Sequence, residues 1–61
     1  MNKIEMFYEN FNIGEDEYYA FIRITKDVNS WLVSIPGTVD IVSITHAVND
    51  HGVSVCVHYT T

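Results

Sequence analysis

The sequence predicts an α+β fold: a single βαββ domain over residues 1–61, with one helix packed on a small, mostly antiparallel sheet. Three observations predict it. The first ten residues alternate apolar and polar side chains with period two. A central segment repeats its apolar residues every three or four positions up to a Pro-Gly stop. The remainder alternates again on either side of a turn-forming tetrad.

In the first strand, Lys3 to Glu9, Ile4, Met6 and Tyr8 alternate with Lys3, Glu5 and Glu9. The apolar set is expected to face the core, which leaves Phe7 on the wet side. Asn10 to Gly14 supplies turn chemistry before the acidic triplet Glu15-Asp16-Glu17.

The helix is expected over Asp16 to Ile35. Phe21, Ile24, Val28, Trp31 and Ile35 form a stripe that Tyr18 and Leu32 widen, while Arg23, Lys26, Asp27, Ser30 and Ser34 fall opposite. Pro36-Gly37 ends it, because proline pushes the preceding residue out of helical geometry. Tyr18 to Thr25 is rich in strand-favouring residues, so ββαββ with a shorter helix over Asp27 to Ile35 is the alternative. Burial of the stripe favours the long helix.

The closing hairpin pairs Val39–Val48 with Val53–Thr60 around Asn49-Asp50-His51-Gly52. Only a two- or four-residue loop matches the apolar faces, which places Val42, Ile44 and Val48 on the core side with Val53, Val55, Val57 and Tyr59. The opposite side carries Ser43, Thr45, Ala47, Ser54, Cys56, His58 and Thr60. From Trp31 onward there is no lysine or arginine and the only acids are Asp40 and Asp50, so this face lacks the charges that normally keep sheets apart. Ser43, Thr45, Ser54, Cys56, His58 and Thr60 are therefore the expected self-association surface.

Sixty-one residues bury little surface for their size, and small domains commonly gain stability from disulfides, metals or assembly. Cys56 is the only cysteine, so no disulfide can form within the chain. Association with a second copy is the expected reinforcement, and a reducing cytoplasm the expected compartment. A net charge of −5 argues against nucleic acid and anionic membranes as partners. Six of the eight acids precede residue 28. Glu9, Glu15, Asp16 and Glu17 form the densest acidic patch, either a site for a basic partner protein or simply a helix start that favours negative charge.

No catalytic, cofactor or metal site is expected. His46 and His58 should lie on opposite sheet faces with His51 in the turn, whereas a structural or catalytic metal needs three or four convergent ligands. Cys56 and His58 share a face, but spacing alone does not make a nucleophile and its base. Gly14, Gly37 and Gly52 are isolated, with no phosphate-binding loop. Trp31 reads as core, and Phe7 and Tyr19 as candidate contact residues.

The N-terminal strand, the helix ending Val28-Asn29-Ser30-Trp31-Leu32, and the strands Asp40-Ile41-Val42-Ser43-Ile44 and Val53-Ser54-Val55-Cys56-Val57-His58-Tyr59 together resemble the small sporulation-associated proteins of Gram-positive bacteria and their phage-borne relatives. The resemblance implies a genomic setting rather than a chemistry, and no functional residue transfers with it. The expected function is that of a small acidic, non-enzymatic, homodimeric protein-binding protein in the host cytoplasm. In the phage setting it would be an inhibitor of a bacterial antiviral defence protein, acting by stoichiometric binding. A host sporulation-associated structural or regulatory role is one alternative. Another is a small-ligand sponge with a pocket built between protomers from Tyr8, Tyr18, Tyr19 and histidines.

Overall fold

The computed structural model describes all residues, Met1–Thr61. Four elements follow one another: β1 (Asn2–Asn10), α1 (Glu17–Ser34), β2 (Asp40–Val48) and β3 (Gly52–Thr60). The three strands form one antiparallel sheet in the order β1-β3-β2, so the last strand in the chain is the central one. A single helix on a single sheet makes a thin two-layer slab, 41 × 19 × 11 Å across its Cα atoms.

The strand-favouring run Tyr18–Thr25 is helical, and the long helix is the one formed. Asp16 is its N-cap, its side chain accepting a hydrogen bond from the Tyr18 amide at 2.9 Å, which satisfies one of the orphan amides of the first turn. The helix closes at Ile35, whose amide still bonds the Trp31 carbonyl although its own backbone is extended, as the following Pro36 requires. Ala20, Ile24 and Val28 are the buried positions, and Leu32 packs against them. Tyr18, expected to widen the stripe, is exposed instead. It sits at the helix start and stacks edge-on with Tyr19 at 6.3 Å between centroids.

The hairpin pairs Val48 with Val53, as matching of the apolar faces demands. Its turn uses no left-handed residue: Asn49 Oδ1 accepts from the amides of both His51 and Gly52 at 2.8 and 2.9 Å. The side chain does the work that positive φ would otherwise do. Strand β2 carries a bulge between Ile41 and Ser43, so Val42 has no partner on β3 and the expected alternation is interrupted there.

The first strand is inverted relative to expectation. Phe7 pairs with Val55 and packs into the core, edge-on to Trp31 at 5.9 Å between centroids. Ile4, Met6 and Tyr8 lie on the far side of the sheet, 64%, 60% and 48% exposed. The reason is that β1 is an edge strand. Lys3, Glu5 and Glu9 stand at the rim of the helix footprint, where long side chains keep their heads in water, and the one bulky aromatic among them, Phe7, fills the middle.

Only Ala20, Ile24, Val28, Gly52, Val53 and Val57 are buried. Gly52 is the tight spot of the sheet: a Cβ there would run into the Glu9 carbonyl oxygen and lie 2.7 Å from the Tyr8 hydroxyl. Tyr8 thus lies over the bare backbone of the central strand. The helix covers β1 and β3 only, and none of its Cα atoms comes within 8 Å of a Cα of β2.

Candidate functional sites on the two sheet faces

Three surfaces are candidates for a functional site: the sheet face away from the helix, the acidic end, and the uncovered flank of β2.

The open sheet face is built by register. Cys56 of the central strand lies between Met6 and Thr45, His58 between Ile4 and Ser43, and Ser54 between Tyr8 and Ala47. Thr60, between Asn2 and Asp40, ends the rows. The residues expected for self-association, Ser43, Thr45, Ser54, Cys56, His58 and Thr60, therefore do share one surface. Ile4, Met6 and Tyr8 join them, which sequence reasoning missed. The face carries one charge, Asp40 at its corner. Three nine-residue strands span about 30 by 15 Å, roughly 450 Å². His58 Nε2 is 3.3 Å from Asn2 Oδ1 and donates to it in the tautomer that carries the proton on Nε2, because an amide oxygen only accepts.

The acidic end is organised by Arg23, which the helical pattern had placed among the solvated residues. Its Nε donates to Glu9 Oε1 at 3.0 Å, its Nη1 to Glu15 Oε1 at 2.6 Å and its Nη2 to the Asn10 carbonyl at 3.0 Å. These bonds hold the guanidinium pKa above its ordinary value, with the hydrogen bond to Glu15 the largest cause and that to Glu9 the next. One side chain thus ties the helix to the end of β1 and to the loop after it. Of the four expected partner-binding carboxylates, Glu9 and Glu15 are committed to Arg23 and Asp16 to the helix cap. Glu17 makes no ion pair. The sequence offered no signal for this clamp, since residues 9, 15 and 23 are joined only by the fold.

On the helix side, β2 leaves a groove of about 440 Å³ between its own inner face and α1. Phe21, Ile24 and Val28 wall it on the helix, and Ile44, His46 and Val48 on the strand. Ile44 and Val48 stay 51% and 52% exposed. His46 here and His58 on the open face are on opposite sides of the sheet, and nowhere do three His, Cys, Asp or Glu side chains converge as metal ligands. Tyr8 is separated by the sheet from Tyr18 and Tyr19, so within one chain these tyrosines line no common pocket.

No helix is long and apolar enough to cross a membrane. No family model, curated protein or solved structure matches this chain. The fold and its surfaces define a small α+β domain with one helix, one three-stranded sheet and a sheet face open to solvent whose one charge is Asp40.

Proposed function

We propose that this chain is a small acidic, non-enzymatic protein-binding protein that acts by stoichiometric occlusion of a client protein and works as a homodimer. Its setting, taken from the resemblance in sequence, is a phage-encoded inhibitor of a bacterial antiviral defence protein. The observation that supports binding is the open sheet face: Ile4, Met6 and Tyr8 line up beside Thr45, Cys56 and His58 with no lysine, arginine or glutamate among them. An apolar row with a tyrosine along one edge of a neutral polar surface is a composition that suits docking to a protein. The acidic end, with Glu17 unpaired, adds long-range attraction for a basic client rather than the main contact.

The test is plaquing of a phage on bacterial strains that each carry one defence system, with the chain expressed from a plasmid. Wild type should restore plaquing on at least one strain, and Met6→Lys, which puts a charge in the middle of the apolar row on β1, should not. Rescue by both proteins alike would remove the open face from the mechanism. Absence of rescue on every strain would remove the anti-defence setting.

A further inference from the structure

The two edges of the sheet are protected very differently. Strand β1 carries Lys3, Glu5 and Glu9 on the helix side, and its end is clamped by Arg23. Strand β2 is nine residues long, contains no lysine, arginine, glutamate or proline, and has Asp40 at its very start as its only charge. Every one of its residues is exposed, and the helix does not reach it. The bulge at Val42 bends only the first part of the strand, and the regular, uncharged stretch Ser43–Val48 that follows is an edge that pairs with other strands unless something covers it.

We propose that β2 pairs antiparallel with β2 of a second copy, joining two sheets into one of six strands in the order β1-β3-β2-β2-β3-β1. The proposal rests on the homodimer in the function above and gives that dimer its place. A second copy is the occupant that fits on three counts. The first is area. A compact chain of 7.0 kDa exposes about 4,000 Å², whereas this one exposes 4445 Å², and the apolar side chains Ile41, Val42, Ile44 and Val48 of β2 belong to that surplus. Two edges about 30 Å long and about 10 Å thick bury roughly 600 Å² between them, less than a standard stable interface, so the main-chain hydrogen bonds of strand addition rather than area hold the joint.

The second count is charge. An antiparallel register centred on Ile44 sets Ile44 against its symmetry mate and Asp40 against the partner's Val48, so the two aspartates lie at opposite ends. The carboxylates around Arg23 lie by β1, on the other side of β3, and do not meet across the joint. The third is symmetry: a self-complementary edge closes as a two-fold dimer and leaves β1, the guarded edge, outermost.

The two-fold axis stands perpendicular to the sheet, so both helices fall on the same face. Each helix sits over β1 and β3 of its own copy, four strand spacings from the other, or about 19 Å. Helices of about 10 Å diameter then leave a cleft about 9 Å wide. Its floor is Ile44, His46, Val48 and Val55 of both copies, and its second wall exists only in the dimer. On the other side, the two open faces become one continuous docking surface.

Light scattering during gel filtration tests this on wild type, Ile44→Lys and Met6→Lys, with circular dichroism confirming that each variant is folded. Ile44 is half exposed, so a lysine there can reach water in the monomer, but two would face each other across the joint. Wild type should elute at twice the chain mass, Ile44→Lys at the chain mass, and Met6→Lys at twice the chain mass. A dimer lost in Met6→Lys but kept in Ile44→Lys would move the interface to the open face, overturning edge pairing while the homodimer stands. A wild type monomeric at millimolar concentration would overturn both. Should Ile44→Lys fail to fold, amide exchange of wild type decides: β2 amides protected along the whole strand support the joint, and alternate amides exchanging at the rate of an open edge overturn it.

Discussion

The sheet has a covered half and an uncovered half, and the chain treats them as different problems. Over β1 and β3 the helix supplies Ala20, Ile24 and Val28, the aromatics Phe7, Trp31 and Tyr59 meet edge-on at 5.9 and 5.3 Å, and Arg23 fastens the rim. Over β2 there is nothing, although Ile44 and Val48 are as apolar as the valines they pair with. Hydrophobic residues of equal character thus have unequal roles: those under the helix hold the fold, and those beyond it are a surface. A helix about 10 Å wide covers two strands about 5 Å apart and not three. The third strand of this one-helix domain is therefore left uncovered.

The largest effect that separates the halves is expected from Ile24→Ala against Ile44→Ala. The first opens a cavity in the core and should cost about 2–5 kcal/mol, much of the stability of so small a domain. The second, at concentrations where the chain is monomeric, should cost less than about 0.5 kcal/mol. Urea midpoints measured at several protein concentrations sharpen the contrast: the Ile44→Ala deficit should grow with concentration, by mass action through the dimer, and the Ile24→Ala deficit should not. Equal costs in dilute solution would mean that β2 is covered within the monomer.

An intermediate effect is expected from exchanging the faces of β1. Phe7→Lys removes an aromatic from beneath the helix and should lower stability by about 2–4 kcal/mol, while Met6→Lys, one residue away, should leave it within about 0.5 kcal/mol. Thermal melts followed by circular dichroism check both, and the reverse ranking would restore Ile4, Met6 and Tyr8 to the core.

The smallest effect belongs to Arg23→Met, which should lower the melting temperature slightly at low salt and by less at high salt, as partly exposed ion pairs are screened. Because the folded pKa of Arg23 is raised, its contribution is fully present below the ordinary arginine value and is lost only as pH rises through the higher folded value. The difference between variant and wild type should therefore stay flat from neutral to moderately alkaline pH. A difference that vanished by about pH 9 would mean that Arg23 is not the group responsible.

Much of this arrangement could be read from the residues. The helix and its Pro36 stop follow from local rules, though Asp16, read as the first helical residue, is its N-cap, and the hairpin register follows from pairing Val48 with Val53. The grouping of Ser43, Thr45, Ser54, Cys56, His58 and Thr60 on one face followed from period two alone. What could not be read was which face of β1 the helix covers. Alternation says that two faces differ; it does not say which is inside when charged side chains at an edge can reach around to water. The same gap hid the place of Ile4, Met6 and Tyr8 on the open sheet face. Arg23 was hidden for another reason, since its partners on β1 and in the following loop are brought to it only when the helix docks.

The central position of β3 also bears on how the chain finds its fold. Strand β2 meets β3 through a short local turn, but every pairing of β1 with β3 joins residues forty or more positions apart, from Asn10 with Gly52 to Asn2 with Thr60. Closing so long a loop costs chain entropy before any contact repays it, and nonlocal pairings of this kind slow folding. The hairpin can form on its own clock; the first strand, with Phe7 and the Glu9 end of the Arg23 clamp, sets the pace of the whole domain.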